Sequence, residues 1–149
     1  MELENSKVII FGLNGESYAA DIREVERILG YEEPTVLPEA PSFVKGVINY
    51  EDKILPIISL SKKFNIGEGT DYESKKIIVV KRKEKKFGII VDNVYEVRDV
   101  YGNTIENTPE ITNTADRKYI SGLIKLENRI IILLDLENIL SIKDEEKIF

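Results

Sequence analysis

Apolar residues in this chain recur at alternate positions, and the runs they form are rich in Val and Ile. A period of two marks a strand that buries one face. Val8-Ile9-Ile10-Phe11 leads into Asn14-Gly15, a dipeptide suited to a tight hairpin turn, and Tyr18-Ala19-Ala20 returns. The spacing then changes. Asp21 can cap a short helix over Ile22 to Leu29, with Ile22, Val25, Ile28 and Leu29 on one face and Gly30 as its stop. Pro34, Pro38 and Pro41 mark an extended connection. A second hairpin is expected from Phe43 to Leu60, turning at Glu51-Asp52, with a short helix behind it over Ser61 to Phe64. Gly67 to Asp71 reads as a linker. Strands follow over Lys76 to Val80, Phe87 to Val91 and Val94 to Val100, then a polar stretch over 101–118 that reads as a long loop. A last hairpin spans Tyr119 to Leu136 with its turn at Glu127-Asn128, and a short helix over Glu137 to Leu140 precedes a charged tail.

The pattern occurs twice. Residues 43–64 align with 119–140 at an offset of 76, so that Phe43 meets Tyr119, Gly46 meets Gly122, Glu51 meets Glu127, Lys53 meets Arg129 and Ile54 meets Ile130. At an offset of 69, Val8 meets Ile77, Tyr18 meets Phe87, Ile22 meets Val91, Val25 meets Val94 and Ile28 meets Val97. One unit is therefore hairpin, connector, hairpin, short helix. About five short strands with Gly and Pro turns tend to close into a small barrel. The expected fold class is all-β: two SH3-like five-stranded barrels from an internal duplication, with short helices. The units are placed at about residues 6–70 and 71–142 of one domain over 6–142, with exchange of terminal strands left open.

Composition narrows the chemistry. The chain has 149 residues, 42% of them apolar, enough for a buried core. Its net charge of −6 argues against a nucleic-acid backbone as partner. The one basic run, Lys81 to Lys86, reads as a solvated hairpin tip. No histidine and no cysteine are present, which removes imidazole bases, nucleophile–histidine pairs, thiolate or imidazole metal sites and disulfides. No phosphate-binding glycine motif occurs. Asp92 and Asp135 each follow an apolar run and read as residues that end a strand or cap the next turn. No catalytic residue, metal or cofactor is expected, and a cytoplasmic setting without membrane insertion is.

Four strings carry a resemblance: Gly15-Glu16-Ser17-Tyr18-Ala19-Ala20-Asp21-Ile22, Val36 to Asn49, Pro56-Ile57-Ile58-Ser59-Leu60, and Gly88-Ile89-Ile90-Val91-Asp92-Asn93-Val94. Together they resemble the CheW family of bacterial chemotaxis coupling proteins, co-linearly from about residue 6 to 142. The most specific piece is Pro38-x-Ala40-Pro41-x-Phe43-x-x-Gly46-Val47-Ile48-Asn49. The resemblance implies two SH3-like barrels. It also implies an adaptor that joins the cytoplasmic tips of chemoreceptors to the regulatory domain of the histidine kinase CheA, and so a cytoplasmic protein recruited to membrane receptor arrays. By the same resemblance the receptor tip packs in the groove between barrels, and Val25, Ile28 and Gly46 belong near the receptor or kinase contacts. On residues alone, Val25 and Ile28 also fit a core role, and Gly46 a backbone shape closed to other residues.

The chain departs from that family at one place. Asn49-Tyr50-Glu51-Asp52 stands where the family usually has Asn-Leu-Arg-Gly, and Arg27 stands where it usually has an acid. A salt bridge between Arg27 and Glu51 with the charges exchanged is one expectation. Two separate exposed charges are the other. The altered tip also leaves room for a second function, a CheW-like adaptor in a two-component system outside chemotaxis.

Overall fold

Strands form where alternation calls for them, and the runs that look uniformly apolar are strands buried on both faces. The computed structural model describes residues 6–67, 73–101, 104–106 and 119–149. β1 (Ser6–Leu13) and β2 (Glu16–Asp21) form the first hairpin, through the Asn14-Gly15 turn with φ of 50° and 80°. β3 (Val25–Gly30) follows a 3-10 turn, Ile22–Glu24. β4 (Val44–Tyr50), β5 (Lys53–Ser59) and the four-residue helix α1 (Leu60–Lys63) complete the first unit. The second comprises β6 (Lys76–Val80), β7 (Gly88–Val91), β8 (Asn93–Val100), the short β9 (Ile105–Glu106), β10 (Ile120–Leu126) and β11 (Arg129–Leu134). A 3-10 turn, Leu136–Asn138, and the helix α2 (Ile142–Ile148) follow.

Two sheets result, in the orders β8-β1-β2-β11-β10-β9 and β3-β6-β7-β5-β4. Each draws strands from both sequence units, because each unit's first hairpin pairs with the other unit's second hairpin. The duplication can be read pair by pair. Ile58 lies opposite Ile89 in the parallel β5–β7 ladder, and its counterpart Leu134 lies opposite Ala20 in β11–β2. Ile28 pairs with Ile78, and the equivalent Val97 pairs with Ile9. Even the irregularities repeat. β3 slips register between Val25 and Arg27, and the β1–β8 ladder slips at the matching place, between Glu96 and Val94 opposite Ile10 and Phe11. β4 slips between Val44 and Gly46, and β10 between Ile120 and Gly122.

The expected helix over Ile22 to Leu29 is a short 3-10 turn followed by a strand. Asp21 does cap the turn, accepting from the Arg23 amide at 2.9 Å. The helical spacing of Val25 and Ile28 comes from the bulge. One extra residue, Glu26, keeps both opposite Val80 and Ile78, on one side of the sheet. Pairing with the central strand β6 overrides a helix of two turns whose apolar face is β-branched. The end of the chain also differs from its expected form as a charged tail: it carries α2, capped by a reciprocal Ser141–Asp144 box. The loop expected over 101–118 lies outside the described residues except for Tyr101 and 104–106. The linker at 67–71 does so beyond Gly67.

Among the described residues the buried apolar side chains form three clusters. Val8, Ile10, Ala19, Ile124, Ile131 and Leu133 pack inside the first sheet, and Ile48, Leu55, Ile57, Ile77, Val79 and Ile90 inside the second. Between the sheets lies the largest, which includes Ile9, Phe11, Leu13, Ile58, Ile78, Val80, Phe87, Ile89 and Leu134. β1 and β6 thus send alternate side chains into two different cores. The inter-barrel region is therefore packed at its centre, and any groove is confined to its rim.

Gly46 has a φ of 145°, and a Cβ there would sit 2.1 Å from the Thr35 carbonyl oxygen. Thr35 forms a backbone bridge with Val47, so neither chain can yield cheaply. Gly46→Ala is expected to cost roughly 2–4 kcal/mol. Ile89→Ala, in the inter-sheet core, should cost about 2–5 kcal/mol, whereas Ile54→Ala, 77% exposed, should stay within about 0.5 kcal/mol. Urea unfolding midpoints would check the ranking.

Candidate contact faces

β3 and β4 stand at opposite ends of the five-stranded order, yet their side chains meet. Arg27 Nη1 lies 3.4 Å from Glu51 Oε1. The Arg27 guanidinium sits 5.7 Å from the Tyr50 ring centroid. The Tyr50 hydroxyl donates to Glu26 Oε2 at 2.7 Å, and Lys86 Nζ holds Glu26 Oε1 at 2.8 Å. The sheet has curled until its end strands touch, as closure into a barrel requires, and this seam is polar. Glu51 reaches it from a two-residue turn in which Glu51 and Asp52 both take positive φ, 50° and 63°. The exchanged charges at 27 and 51 do form a pair. With the side chains 55% and 56% exposed, it is worth at most about 1 kcal/mol. Burial and the bond to Glu26 push the Tyr50 hydroxyl up to about 12, and Lys86 and Tyr50 hold the Glu26 carboxyl below its ordinary value.

The other sheet closes at the equivalent place with different charges. Arg27 corresponds to Glu96 and Glu51 to Glu127, so two acids stand where the first seam has an ion pair. Two arginines offset them: Arg98 Nη2 lies 2.8 Å from Glu127 Oε1, and Arg129 Nη2 lies 3.8 Å from Glu96 Oε2. Each seam is accompanied by exposed aliphatic residues at matching positions. Ile28 and Ile54 are 40% and 77% exposed, and their counterparts Val97 and Ile130 are 51% and 58% exposed. The two seams thus match in exposed aliphatic positions and in charge balance, and differ in which positions carry which sign.

Of the residues singled out in the sequence, Arg27 and Glu51 form the first seam, while Ile28, next to Arg27 on β3, pairs with Ile78 and is exposed on the other side of that strand. Val25 packs against the inter-sheet core. Gly46 is buried under Thr35, and its counterpart Gly122 approaches the Glu106 carbonyl in the same way. Tyr50, Glu26 and Lys86 joined the seam without a sequence signal, because strand closure brings them together across 24 and 60 residues. The second face was within reach: the alignment of Glu51 with Glu127 and of Ile54 with Ile130 points to it.

A cleft of about 600 Å³ opens where the chain crosses between sheets, lined by Asp21, Arg23, Glu24, Arg82, Asp135 and Glu137 among others. Asp135 caps the turn after β11, accepting from the Glu137 amide at 3.1 Å and the Asn138 amide group at 2.7 Å. Asp92 instead accepts from the Asn14 amide at 2.7 Å and so steadies the first hairpin turn. Burial, with Asp135 close by, pushes the Glu24 carboxyl up to about 7. Burial also raises Asp21, but the bonds from Arg23 outweigh it and leave that carboxyl low. Among the described residues no three His, Cys, Asp or Glu side chains are grouped to hold a metal ion, and no helix is long and apolar enough to cross a membrane.

Comparison with known proteins places this design. Residues 7–144 match the CheW-like domain. A chemotaxis protein CheW of Klebsiella aerogenes is 36% identical over 141 residues, covering 94% of this chain and 84% of that protein. One of Thermotoga maritima is 31% identical over 140 residues, covering 93% and 89%. The crystal structure of the scaffolding protein TtCheW from Thermoanaerobacter tengcongensis superposes with a TM-score of 0.85 at 33% identity, covering 95% of this chain and 92% of that one. The chain belongs to the CheW-like domain family, whose members are chemotaxis scaffold proteins.

Exchanging the seam charges tests whether the pair acts as a unit. Arg27→Glu and Glu51→Arg are each expected to lower stability by up to about 1 kcal/mol, and the double exchange to restore it. Purely additive losses in urea unfolding would show that the pair does not couple. Glu24 gives a pH dependence. Its folded value lies above the unfolded one, so between about pH 4.5 and 7 the native state holds the extra proton. Its contribution falls as pH rises through that window, and above it the buried carboxylate is a net cost. Glu24→Gln should therefore stabilise the protein at pH 8, by an amount on the order of 1–3 kcal/mol, and have little effect at pH 5. Thermal unfolding at the two pH values measures the difference.

Proposed function

We propose that this protein couples the cytoplasmic tips of chemoreceptors to the regulatory domain of the histidine kinase CheA by non-covalent binding, as a cytoplasmic component of membrane receptor arrays. The observation that carries the reading is the pair of matched faces. A coupler must hold two partners at once, and a duplicated barrel offers two exposed aliphatic surfaces, each beside a charged seam. The different placement of the charges lets the two faces accept different partners, since electrostatic pattern selects among partners of similar shape. The family supports the chemotaxis setting.

The test uses purified receptor-tip fragment and CheA regulatory domain from the same organism. Ile28→Asp with Ile54→Asp should weaken binding of one partner at least tenfold and leave the other within about threefold; Val97→Asp with Ile130→Asp should do the reverse. Loss of both partners from either variant, with the fold intact, would refute two-face coupling. The inverted polarity of Arg27 and Glu51 supports a second reading, a CheW-like adaptor serving a two-component system outside chemotaxis. Binding to a different kinase's regulatory domain, with none to CheA, would decide for it.

A further inference from the structure

The helix α2 is seated on the molecule in the manner of a bound ligand. It leaves the first sheet after β11 and docks on elements of the second. Its contact face consists of three residues. Asp144 Oδ2 meets Lys63 Nζ at 2.7 Å, Glu145 Oε1 meets Arg82 Nη2 at 2.5 Å, and Ile148 packs against the inter-sheet core. These are the half-buried positions of the helix, whereas Ile142, Lys143, Glu146 and Lys147 face outward. The four paired side chains keep only 15–22% exposure, so both ion pairs are partly desolvated.

The receiving surface is built by other elements. Lys63 Nζ lies 4.5 Å from the Phe43 ring centroid and the Arg82 guanidinium 5.5 Å from that of Phe87, so each cation has an aromatic neighbour as well as its carboxylate. Arg82 Nη1 is buried and has no hydrogen-bond partner among the described residues. The tail therefore uses one arm of a guanidinium that could grip a carboxylate with two. The surrounding connection, Lys81 to Lys86, holds five basic residues and one acid in a chain of net charge −6. The basic run is thus a receptor for acids, already occupied by a segment of the same chain.

We infer that the Lys63–Arg82 surface is a docking site for an acidic amphipathic helix of a partner, one with two adjacent carboxylates followed three positions later by an aliphatic residue, and that α2 occupies it as a displaceable stand-in. Tethering gives the tail a high effective concentration, so only a helix that also engages Arg82 Nη1 displaces it. Displacement would also alter the first face. Ile148 and Phe149 line a cleft of about 500 Å³ together with Glu51 and Ile54. The inference holds whichever receptor or kinase the protein serves.

The test is a nitrogen-15 NMR titration of the full chain with a synthetic peptide of residues 141–149. Asp144→Lys with Glu145→Lys releases the tail, and Asp144→Asn with Glu145→Gln is a milder release should the first pair disturb folding. Either release variant should bind the peptide at least tenfold more tightly than the unaltered chain, with shifts at Lys63 and Arg82, and more weakly as salt is raised. Adding Lys63→Glu and Arg82→Glu should abolish those shifts. Equal binding by the released and unaltered chains, no binding by a folded release variant, or binding that survives the Lys63 and Arg82 changes would each overturn the inference.

Discussion

The structure depends on the apolar layer between the two sheets. Ile9, Phe11 and Leu13 from β1 meet Ile78 and Val80 from β6 there, with Ile89 from the neighbouring β7 and Phe87 just before it. The alternate residues of β1 and β6, Val8 and Ile10 or Ile77 and Val79, fill the separate interior of each sheet. A strand that is apolar on both faces cannot lie at a surface, so β1 and β6 are forced into central positions. The pairing β8-β1-β2 and β3-β6-β7 then follows. Each of those central strands brings its own hairpin partner and takes on its outer side the crossing strand of the other unit. Neither unit can bury its first hairpin alone, which ties the two into one cooperative body.

That constraint also decides where binding can occur. With the inter-sheet region filled among the described residues, a partner meets the outside of the sheets, and the seams where each sheet closes are part of that surface. The seams are polar because they join strand ends in solvent, and there the two repeats diverge: Arg27 with Glu51 in one, Glu96 and Glu127 with two arginines in the other. Divergence is tolerated because exposed pairs contribute little to stability. The buried positions stay apolar in both repeats even where their size differs, as at Phe11 and Val80 or Ala20 and Ile89. A duplicated scaffold can in this way hold its fold constant while its two faces acquire different partners.

The helix α2 adds a further layer of specificity. Its inward face is two acids and an isoleucine, a small contact beside the extensive strand packing, and it covers cations that aromatic rings hold in place. An element held mainly by two ion pairs and one side chain belongs to the low-stability end of the molecule, where regulated contacts are found.

By itself the sequence determined the strands other than β3 and the two-residue β9, the hairpin turns at Asn14-Gly15, Glu51-Asp52 and Glu127-Asn128, the duplication and the family, because each is written in local periodicity or in order along the chain. Against the family pattern, an Arg27–Glu51 pair was one of two readings, and the structure forms it. Only the tertiary structure decided the rest. Val25 to Leu29 became a strand because β6 offers a ladder that helical spacing cannot show, and the bulge at Glu26 imitates that spacing. The sheets exchanged hairpins because burial on two faces is satisfied only by strands from the other unit. The seam around Tyr50 and the seat of α2 on Lys63 and Arg82 join residues 24 to 81 positions apart. Contacts of that range follow from how the barrels close, and local sequence carries no record of it.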